Sequence, residues 1–396
     1  MTNPQAGTGS TESAQVSPAS ADPKPKAARA GNQGSPPPGD REAVVLERIE
    51  TFRRRRPRMK DEVINLAHGA GGKASAALVD GVFIEAFGQP ADHGSLTDSA
   101  VVELSSGERI AFTTDSFVVK PRQFPGGSIG HLAVHGTVND LAVMGAHPRW
   151  ISAAFVLEEG LPVSELKAVV ADMAEAALKA GVQIVTGDTK VVDRGAADGM
   201  YVTTAGVGVV PVGRRLGAHL VKPGDRVLIS GTMGDHGMAV MLARGDLALE
   251  AHISSDTAPL GDLVESLLAA APSTRWIRDP TRGGVGTVCN ELARDTNLAV
   301  VLDESSLPVD PAVMGACDLL GIDPLYVANE GKIVAVVPSE EAQDALAAMK
   351  NLEVGSNAAI IGEIHPSPEA LVVLRTGFGG SRIVDMLVGD PLPRIC

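Results

Sequence analysis

The chain has 396 residues with many glycines, few aromatic residues and a formal net charge of −14, and its length predicts two domains. The acidic balance argues against a nucleic-acid binder, which needs a basic surface, and no stretch is apolar over enough residues to predict a membrane span. Three cysteines without metal-ligand spacing, and no basic start followed by an apolar run, predict a cytoplasmic protein.

The first part of the chain nearly lacks the large apolar side chains that a core needs. Residues 1–40 are rich in Pro, Gly, Ser, Ala and Thr, and a helix is predicted at about 41–54. We predict a disordered extension at 1–60, because its first forty residues bury too little surface to offset the entropy of ordering. The basic run at 53–56 is interpreted as a solvated linker, with the binding of an acidic partner as the alternative.

A glycine-rich turn opens the body that we expect to be ordered. It contains Gly69, Gly71 and Gly72 between His68 and Lys73. Glycines let backbone N–H groups approach phosphate oxygens closely, and the lysine would add positive charge. An ordinary loop has the same composition, so the turn alone leaves both interpretations open.

Four aspartates of the first half recur at strand ends, in turns or on a helix. Asp98 precedes the predicted strand 101–104, and Asp115 ends the predicted strand 110–114. Asp140 lies on a predicted helix, and Asp188 follows the predicted strand 182–187. Singly, each is explained as a cap or turn residue. Together, their hard oxygens would hold Mg²⁺ against nucleotide phosphates, so the set predicts a metal–nucleotide site.

Two helices follow from apolar periodicity. On the helix predicted at 129–145, His131, His135 and Asn139 share one side, and without a third soft ligand we interpret the histidines as hydrogen-bonded or exposed. A helix at 165–180 is predicted to turn these apolar residues toward the core: Leu166, Val169, Val170, Met173, Ala177 and Leu178.

The second half again alternates strands with helices. The turn Asp279-Pro280-Thr281-Arg282-Gly283-Gly284 feeds a helix whose apolar stripe makes Cys289 a buried core thiol. Glu330 lies in a turn before the predicted strand 333–337. It is either an ordinary turn residue or a catalytic carboxylate.

The chain ends in Pro391-Leu392-Pro393-Arg394-Ile395-Cys396. The prolines prevent a helix, and glycines upstream would let the segment swing. A thiol on the terminal residue suits a carrier arm that visits a pocket, whereas the alternative is a frayed terminus that happens to end in cysteine.

The order of elements predicts an α/β protein of the α+β type with two domains. A composition change at 211–223 separates them. We predict a first domain at 61–215, a second α/β domain at 222–375 and a flexible tail at 376–396 that carries the acceptor cysteine.

Several motifs together resemble a known family. Thr114-Asp115-Ser116, the stretch 136–146, Gly187-Asp188-Thr189 and the turn at 279–284 are similar to the ATP-binding superfamily of aminoimidazole ribonucleotide synthetase. With the glycine turn, the segment 329–332 and the terminal Pro-Arg-Ile-Cys, residues 63–396 resemble the HypE family of hydrogenase maturation factors, which are carbamoyl dehydratases.

The resemblance implies a fold and a set of partners. It implies a two-domain aminoimidazole ribonucleotide synthetase-like fold, with an N-terminal domain that binds ATP and forms a homodimer, and a C-terminal α/β domain. The implied cofactors are ATP and Mg²⁺. The implied partners are the carbamoyltransferase HypF and the HypC–HypD scaffold complex, with no nucleic acid and no membrane.

The resemblance also implies a role for each residue that matches a motif. Cys396 would accept a carbamoyl group, Glu330 would act as a base and Lys190 would stabilise developing charge, although the two proton roles could be exchanged. The flank of Asp98 departs from the more acidic superfamily pattern. Mg²⁺ and phosphates are assigned to Asp98, Asp115, Asp140 and Asp188, and further ATP contacts to Gly69, Gly71, Gly72 and Asn139.

Two alternatives belong to other functional classes. A small-molecule kinase of the same superfamily, such as thiamine-monophosphate kinase, would have no need of a terminal thiol. A non-catalytic carrier would present Cys396 and bind ATP only as a structural ligand. Selenophosphate synthetase fits less well, because no cysteine lies near the glycine turn.

Overall fold

The computed structural model describes residues 59, 61–88, 97–245, 252–387, 389 and 395–396. The extension predicted at 1–60 lies outside these residues except for Met59, and so does the tail segment 391–394. In the described part of the chain, every helix is too short or too polar to cross a bilayer.

The described residues form the following α-helices and strands. The helices are α1 (Lys73–Leu78), α2 (Glu85–Phe87), α3 (Ile129–Val143), α4 (Val163–Lys179), α5 (Asp235–Ala243), α6 (Gly261–Ala270), α7 (Gly284–Thr296), α8 (Pro311–Leu320) and α9 (Ala342–Lys350). The strands are β1 (Ala100–Glu103), β2 (Arg109–Phe117), β3 (Gln123–Phe124), β4 (Gly127–Ser128), β5 (His147–Glu158), β6 (Gln183–Val192), β7 (Met200–Val210), β8 (Arg226–Ile229), β9 (Trp276–Arg278), β10 (Ala299–Asp303), β11 (Val334–Val337), β12 (Ala359–His365), β13 (Val372–Arg375) and β14 (Ser381–Val384).

The N-terminal sheet has five strands in the order β1-β2-β7-β5-β6. Its neighbours are antiparallel except for β5 and β6, which are parallel because α4 crosses between them. Along β7, buried and partly exposed residues alternate, as expected for a sheet with only one covered face. The helix α3 covers that face, packing against β2 and β7.

Helix α3 is buried on nearly all sides. It lies between the first sheet and the second domain, where it also contacts α6 and β9. A helix enclosed in this way can be apolar around its whole circumference. It therefore carries Asp140 to the junction of the two domains on a rigid support.

The C-terminal sheet has seven strands in the order β14-β13-β10-β12-β8-β11-β9. All four residues of β11 are buried, because helices cover both faces of the sheet. Val334 and Val336 pack in the cluster that contains α7, and Ala335 and Val337 pack in the cluster that contains α6 and α9. Each fully buried valine contributes about 1.5–3 kcal/mol to stability, so this layer fixes the turn that precedes β11.

The predicted fold class is confirmed, since the chain has two α/β domains of the α+β type. Several local predictions are confirmed as well. Helices α3 and α4 fall within two residues of the predicted bounds, and Cys289 is fully buried on α7. The two histidines of α3 are hydrogen-bonded, His131 to Ser128 at 3.0 Å and His135 to Thr257 at 3.1 Å.

The predicted core face of α4 was wrong at two positions. Val170 is 46% exposed and Leu178 is 83% exposed, whereas Val169 and Met173 are buried. Helices α3 and α4 approach so closely at Gly130 that a Cβ there would lie 2.5 Å from the Val169 carbonyl oxygen. This tight contact buries a narrow row of α4 and leaves its flanks open.

The C-terminal domain extends beyond the predicted boundary at 375. Strand β14 pairs antiparallel with β13, and Val384 is fully buried in the domain core. The glycines expected to act as a hinge instead form the turn of this hairpin, where Gly379 has a φ of +83°. The predicted flexible tail at 376–396 therefore contains a core strand in its first half.

Candidate active site

Three aspartates converge where the two domains meet. Asp98 precedes β1, Asp140 lies on α3 and Asp279 follows β9. Carboxylate oxygens of all three lie within 4.8 Å of one another. They share a cavity of about 780 Å³, a size that accommodates a nucleotide-sized ligand.

The electrostatics of this aspartate cluster favour a bound cation. Burial, followed by repulsion from neighbouring aspartates, raises the pKa of Asp140 and Asp279 well above the ordinary value. Burial also raises the pKa of Asp98, although Arg278 opposes the shift from 3.1 Å. Arg278 is shared with Glu291 at 3.3 Å, so the local negative charge is only partly compensated. A set of hard carboxylate oxygens with this excess charge fits Mg²⁺.

Asp115 lies beside the aspartate cluster, within β2 rather than after its end as predicted. It lines the same cavity, and its pKa is raised by burial while Arg282 opposes the shift. Thr113, on the same strand, has its hydroxyl 2.7 Å from Asp140 Oδ2 and 2.9 Å from the Asp98 carbonyl oxygen. Strand β2 therefore holds the first-domain aspartates in one arrangement.

The glycine turn borders the cavity and packs against the second domain. Gly71 and Gly72 line the cavity, and Arg282 Nη1 donates a hydrogen bond to the Gly69 carbonyl oxygen at 3.3 Å. Gly71 has a φ of +78°, and a Cβ there would lie 2.8 Å from the backbone oxygen of Arg282. A Cβ on Gly72 would lie 2.3 Å from the Leu387 carbonyl oxygen. These two glycines thus permit close packing of the backbone around the cavity.

Asn139 has a different position from the one expected of a direct ATP contact. It is 1% exposed and does not line the cavity. Its side-chain amide donates to the Ala258 carbonyl oxygen at 3.0 Å, and its oxygen accepts from Leu260 N–H at 2.8 Å. Asn139 therefore fastens α3 to the segment before α6, next to the aspartate that it precedes.

Asp188 and Lys190 lie apart from the aspartate cluster within one chain. Both are on β6, with side chains 65% and 70% exposed, and they pair with each other at 3.3 Å. Neither lines the cavity. Strand β6 is the edge of the sheet, and nine of its ten residues are exposed. One chain therefore unites Asp98, Asp115 and Asp140 but does not bring Asp188 and Lys190 to them.

Glu330 is buried in a turn held by several backbone contacts. Its N–H donates to Asp256 Oδ1 at 3.0 Å. A Cβ on the following Gly331 would lie 1.7 Å from the Asp256 carbonyl oxygen, so only glycine fits there. Burial, and then Asp279, Asp256 and other carboxylates, raises the pKa of Glu330 well above its usual value. A carboxylate with a raised pKa accepts a proton more readily than an ordinary one, which suits a general base.

The end of the chain is docked against the same site. Val118 N–H donates to the Cys396 carbonyl oxygen at 3.1 Å, and Ile395 is only 5% exposed. Arg282 interacts electrostatically with Cys396, Asp115 and Glu330. These interactions, that with Cys396 first, raise the pKa of the Arg282 guanidinium. Arg282 is therefore a common neighbour of the terminal residue Cys396, of the candidate base Glu330 and of Asp115 in the cavity.

The other two cysteines are poorly suited to nucleophilic chemistry. Burial raises the pKa of Cys289 to about 12 and that of Cys317 to about 11. Because the thiolate is the reactive form, neither reacts readily near neutral pH. Cys396 remains as the cysteine whose position allows covalent loading.

Asp279 and Arg282 are site residues that were not predicted from the sequence. Both lie in the turn at 279–284, which was interpreted as a family motif and as the start of a helix, with no site role for either residue. Asp279 follows strand β9 directly, the same placement at a strand end that singled out Asp115. That signal was present in the sequence, whereas the approach of Arg282 to the chain end depends on the packing of the two domains.

Both domains of the chain match models of known protein families. Residues 96–210 match the N-terminal domain of AIR synthase related proteins, and residues 222–374 match the C-terminal domain. The chain is 53% identical over 340 residues to carbamoyl dehydratase HypE of Rhodobacter capsulatus, covering 85% of this chain and 99% of that protein.

Solved structures are similar over most of the chain. A crystal structure of a HypE–HypF complex has a chain that is 48% identical, with a TM-score of 0.73, covering 78% of this chain and 100% of that one. A crystal structure of HypE in complex with ATP is 44% identical, with a TM-score of 0.70, covering 84% of this chain and 100% of that one.

Proposed function

Since the chain belongs to the HypE family of carbamoyl dehydratases, among the AIR synthase related proteins, we propose that it uses ATP to convert an S-carboxamide on Cys396 into a thiocyanate. The thiocyanate would supply the cyanide ligand for the iron centre of a NiFe hydrogenase. One observation carries this proposal: Arg282, which lines the cavity, interacts electrostatically with the terminal residue and with Asp115, Asp140 and Glu330.

The chemistry explains why a nucleotide and a thiol share one site. Amide oxygen is a poor leaving group, so the terminal phosphoryl group of ATP is first transferred to it, releasing ADP and one N–H proton. Phosphate then leaves with the second proton as the C–O bond breaks and the nitrile forms. The sum converts the S-carboxamide and ATP into thiocyanate, ADP, phosphate and one proton. Such a transfer is catalysed mainly by positioning and charge neutralisation.

The aspartate cluster is suited to hold the metal that accompanies the nucleotide. A HypE relative has been crystallised in complex with ATP, which supports ATP as the ligand of the cavity. Asp98, Asp140 and Asp279 would hold Mg²⁺, which neutralises phosphate charge when bound. Asp115 and the glycine turn would adjoin the phosphates, while Arg282 would face the transferred group.

Glu330 is the candidate base for the protons that leave the amide nitrogen. Its raised pKa supports this role, because a carboxylate with a pKa nearer neutrality accepts a proton more readily than an ordinary one. Arg282 would keep the deprotonated form accessible. The buried turn around Asp256 and Gly331 would fix its orientation.

A homodimer would bring the remaining predicted residues to the site. The uncovered face of the N-terminal sheet carries Phe112 and Trp150, 47% and 48% exposed, which align across β7. The edge strand β6 adds Val185 and Val191, 57% and 68% exposed. An apolar face beside an unpaired strand edge favours association with another chain. A second copy on this surface would cover it and carry its own Asp188 and Lys190 to the cavity.

Two further partners follow from the same function. The complex of a HypE relative with HypF supports HypF as the carbamoyltransferase that loads Cys396. The HypC–HypD complex would then receive the cyano group on its iron. We place these steps in the cytoplasm, because its reducing environment would keep Cys396 as a thiol.

The direct test follows the mass of the intact protein. The chain is incubated with its carbamoyltransferase and carbamoyl phosphate, purified, and then given ATP and Mg²⁺. We expect addition of a carboxamide in the first step and loss of water in the second, both mapped to Cys396. Cys396→Ser should bind ATP normally but acquire no carboxamide, since a hydroxyl is far less nucleophilic than a thiol.

Other outcomes of that experiment contradict the proposal. A carboxamide on Cys289 or Cys317 would remove Cys396 as the acceptor. ADP release that depends on thiamine monophosphate would identify the chain as a kinase, and carboxamide loading with no turnover of ATP would identify it as a carrier.

A further inference from the structure

A line of hydrogen bonds in the described structure ends on the docked chain terminus. His236, on α5, is fully buried, and its Nε2 lies 2.6 Å from the Ile395 carbonyl oxygen. Its Nδ1 lies 2.8 Å from Ser255 Oγ. Ser255 Oγ in turn accepts from Thr257 N–H at 3.2 Å. None of these three side chains belongs to the carboxylate and glycine groups already described.

These contacts fix which ring nitrogen of His236 carries the proton. A carbonyl oxygen can only accept, so Nε2 must be the donor to Ile395. Since Ser255 Oγ accepts from Thr257, its own proton is available for Nδ1. The ring is therefore neutral with its proton on Nε2, which agrees with a pKa lowered by burial. Phe124 packs edge-on against the ring at 5.5 Å and limits its rotation.

The same terminus is held at two neighbouring points. His236 binds the carbonyl oxygen of Ile395, and Val118 N–H binds that of Cys396. Between them, the Ile395 side chain is buried in the core cluster that contains Met238. Two consecutive backbone groups and one buried side chain set the register of the terminus, so a shift by one residue would break all three contacts.

We propose that His236 is a positioning residue for the acceptor thiol: its Nε2–H holds the Ile395 carbonyl oxygen so that Cys396 stands beside Arg282 during dehydration. The inference rests on the proposed function, in which Cys396 carries the carboxamide. Loading by another protein requires the terminus to leave this site, whereas dehydration requires it to be docked. His236 thus shifts the balance toward the docked state that dehydration uses.

The test compares His236→Ala with His236→Gln. Alanine removes the donor, whereas the glutamine amide places an N–H near the position of Nε2. His131→Gln is the control, because His131 is half-buried on α3 and contacts Ser128 Oγ at 3.0 Å, outside the hydrogen-bond line that reaches the terminus. Three quantities are measured: single-turnover dehydration of carbamoylated protein, the rate of carbamoyl loading, and alkylation of unloaded Cys396 by iodoacetamide.

We expect His236→Ala to slow dehydration about five- to tenfold, the cost of one hydrogen bond, and to speed alkylation by a similar factor. Carbamoyl loading should be unchanged or faster, and ATP affinity should be unchanged. His236→Gln should recover most of the dehydration rate, and His131→Gln should match the wild-type chain. A general loss of folding would instead lower dehydration, loading and ATP affinity together.

Unchanged alkylation of Cys396 in His236→Ala would overturn the inference, and so would faster alkylation with an unchanged dehydration rate. Equal losses in the alanine and glutamine variants would also contradict it. Alkylation needs no carboxamide, so docking is tested even if the wild-type chain forms no thiocyanate. In that case the proposed function fails, and the role in dehydration fails with it.

Discussion

Two acidic regions of this molecule look alike in sequence and differ in structure. Asp98 and Asp140 meet Asp279 in a buried cavity between the domains, where burial and mutual repulsion raise each pKa. Asp188 stands exposed on the edge strand β6, and backbone N–H of Thr189, followed by Lys190, lowers its pKa. The inner cluster is short of positive charge, whereas the outer pair is already neutralised.

The difference teaches how much of the site one chain can supply. The inner cluster has its three carboxylates and its cavity within a single chain, and Arg282 beside them interacts with the terminal residue. The outer pair does not line that cavity, and it lies on a surface with exposed apolar side chains. We infer that the inner cluster binds the nucleotide by itself and that the outer pair acts only across a dimer.

The largest expected effect belongs to the inner region. Glu330→Gln keeps the shape of the side chain and removes the base, so dehydration should slow by about 10²–10⁴-fold. Carbamoylated Cys396 should then accumulate, as seen by intact mass. In the wild-type chain, the dehydration rate should fall as pH drops through the raised pKa of Glu330, because the base must be deprotonated. Normal thiocyanate formation in the variant would exclude Glu330 from the chemistry.

A second prediction compares the two regions as ligands. Asp140→Asn should weaken Mg²⁺-dependent ATP binding by about a hundredfold or more, because it removes charge from a buried ligand set. Asp188→Asn should weaken ATP binding to a similar extent only when the chain is dimeric. Dilution below the dimer dissociation constant should therefore abolish the difference between this variant and the wild-type chain. Calorimetry at two protein concentrations measures both. Unaltered affinity in Asp140→Asn would contradict the inner site.

Mixed dimers test whether the outer pair acts across the interface. Lys190→Ala and Glu330→Gln should each be inactive alone. When the two variants are mixed in equal amounts, about half of the dimers contain one chain of each. If Lys190 serves the partner's site, each mixed dimer has one intact site of two, and activity should return to about a quarter of the wild-type value. Combining both substitutions in one chain and mixing it with wild-type chain is the control. No recovery in the first mixture would mean that Lys190 acts within its own chain, and full activity of Lys190→Ala alone would mean that it has no role.

The smallest effect is on stability without nucleotide or metal, and its sign differs between the regions. Asp140 has a raised pKa, so its contribution to folding is present below its unfolded pKa and is lost as pH rises through the folded value. Asp140→Asn should therefore stabilise the chain at neutral pH, because the amide leaves no charge to bury beside the other aspartates. Urea titrations at several pH values measure this difference.

Asp188 should show the opposite pH trend. Its pKa is lowered, so its contribution is present above the unfolded pKa and is lost as pH falls through the folded value. Asp188→Asn should slightly destabilise the chain at neutral pH and have no effect in acid. Stabilisation at neutral pH by this variant would mean that the outer carboxylate is not neutralised as its contacts indicate.

The sequence by itself determined the fold class, the terminal thiol and most of the acidic positions. Asp98, Asp115 and Asp140 were identifiable as acidic residues beside predicted strands or on a predicted helix, and the motifs around Asp115 and Asp140 identified the family. The apolar stripe that buries Cys289 on α7 is local in the same sense.

Only the tertiary structure decided which of these residues meet. Asp279 joins Asp140 because α3 packs against β9, a contact between residues far apart in the chain. Asp188 separates from them because β6 is the last strand of its sheet, and no local pattern states the order of strands. The two hydrogen bonds that hold Ile395 and Cys396 likewise need α5 and the residue after β2 to converge on the chain end. Local propensity fixes elements, but the burial of their apolar faces against one another fixes the distances on which a site depends.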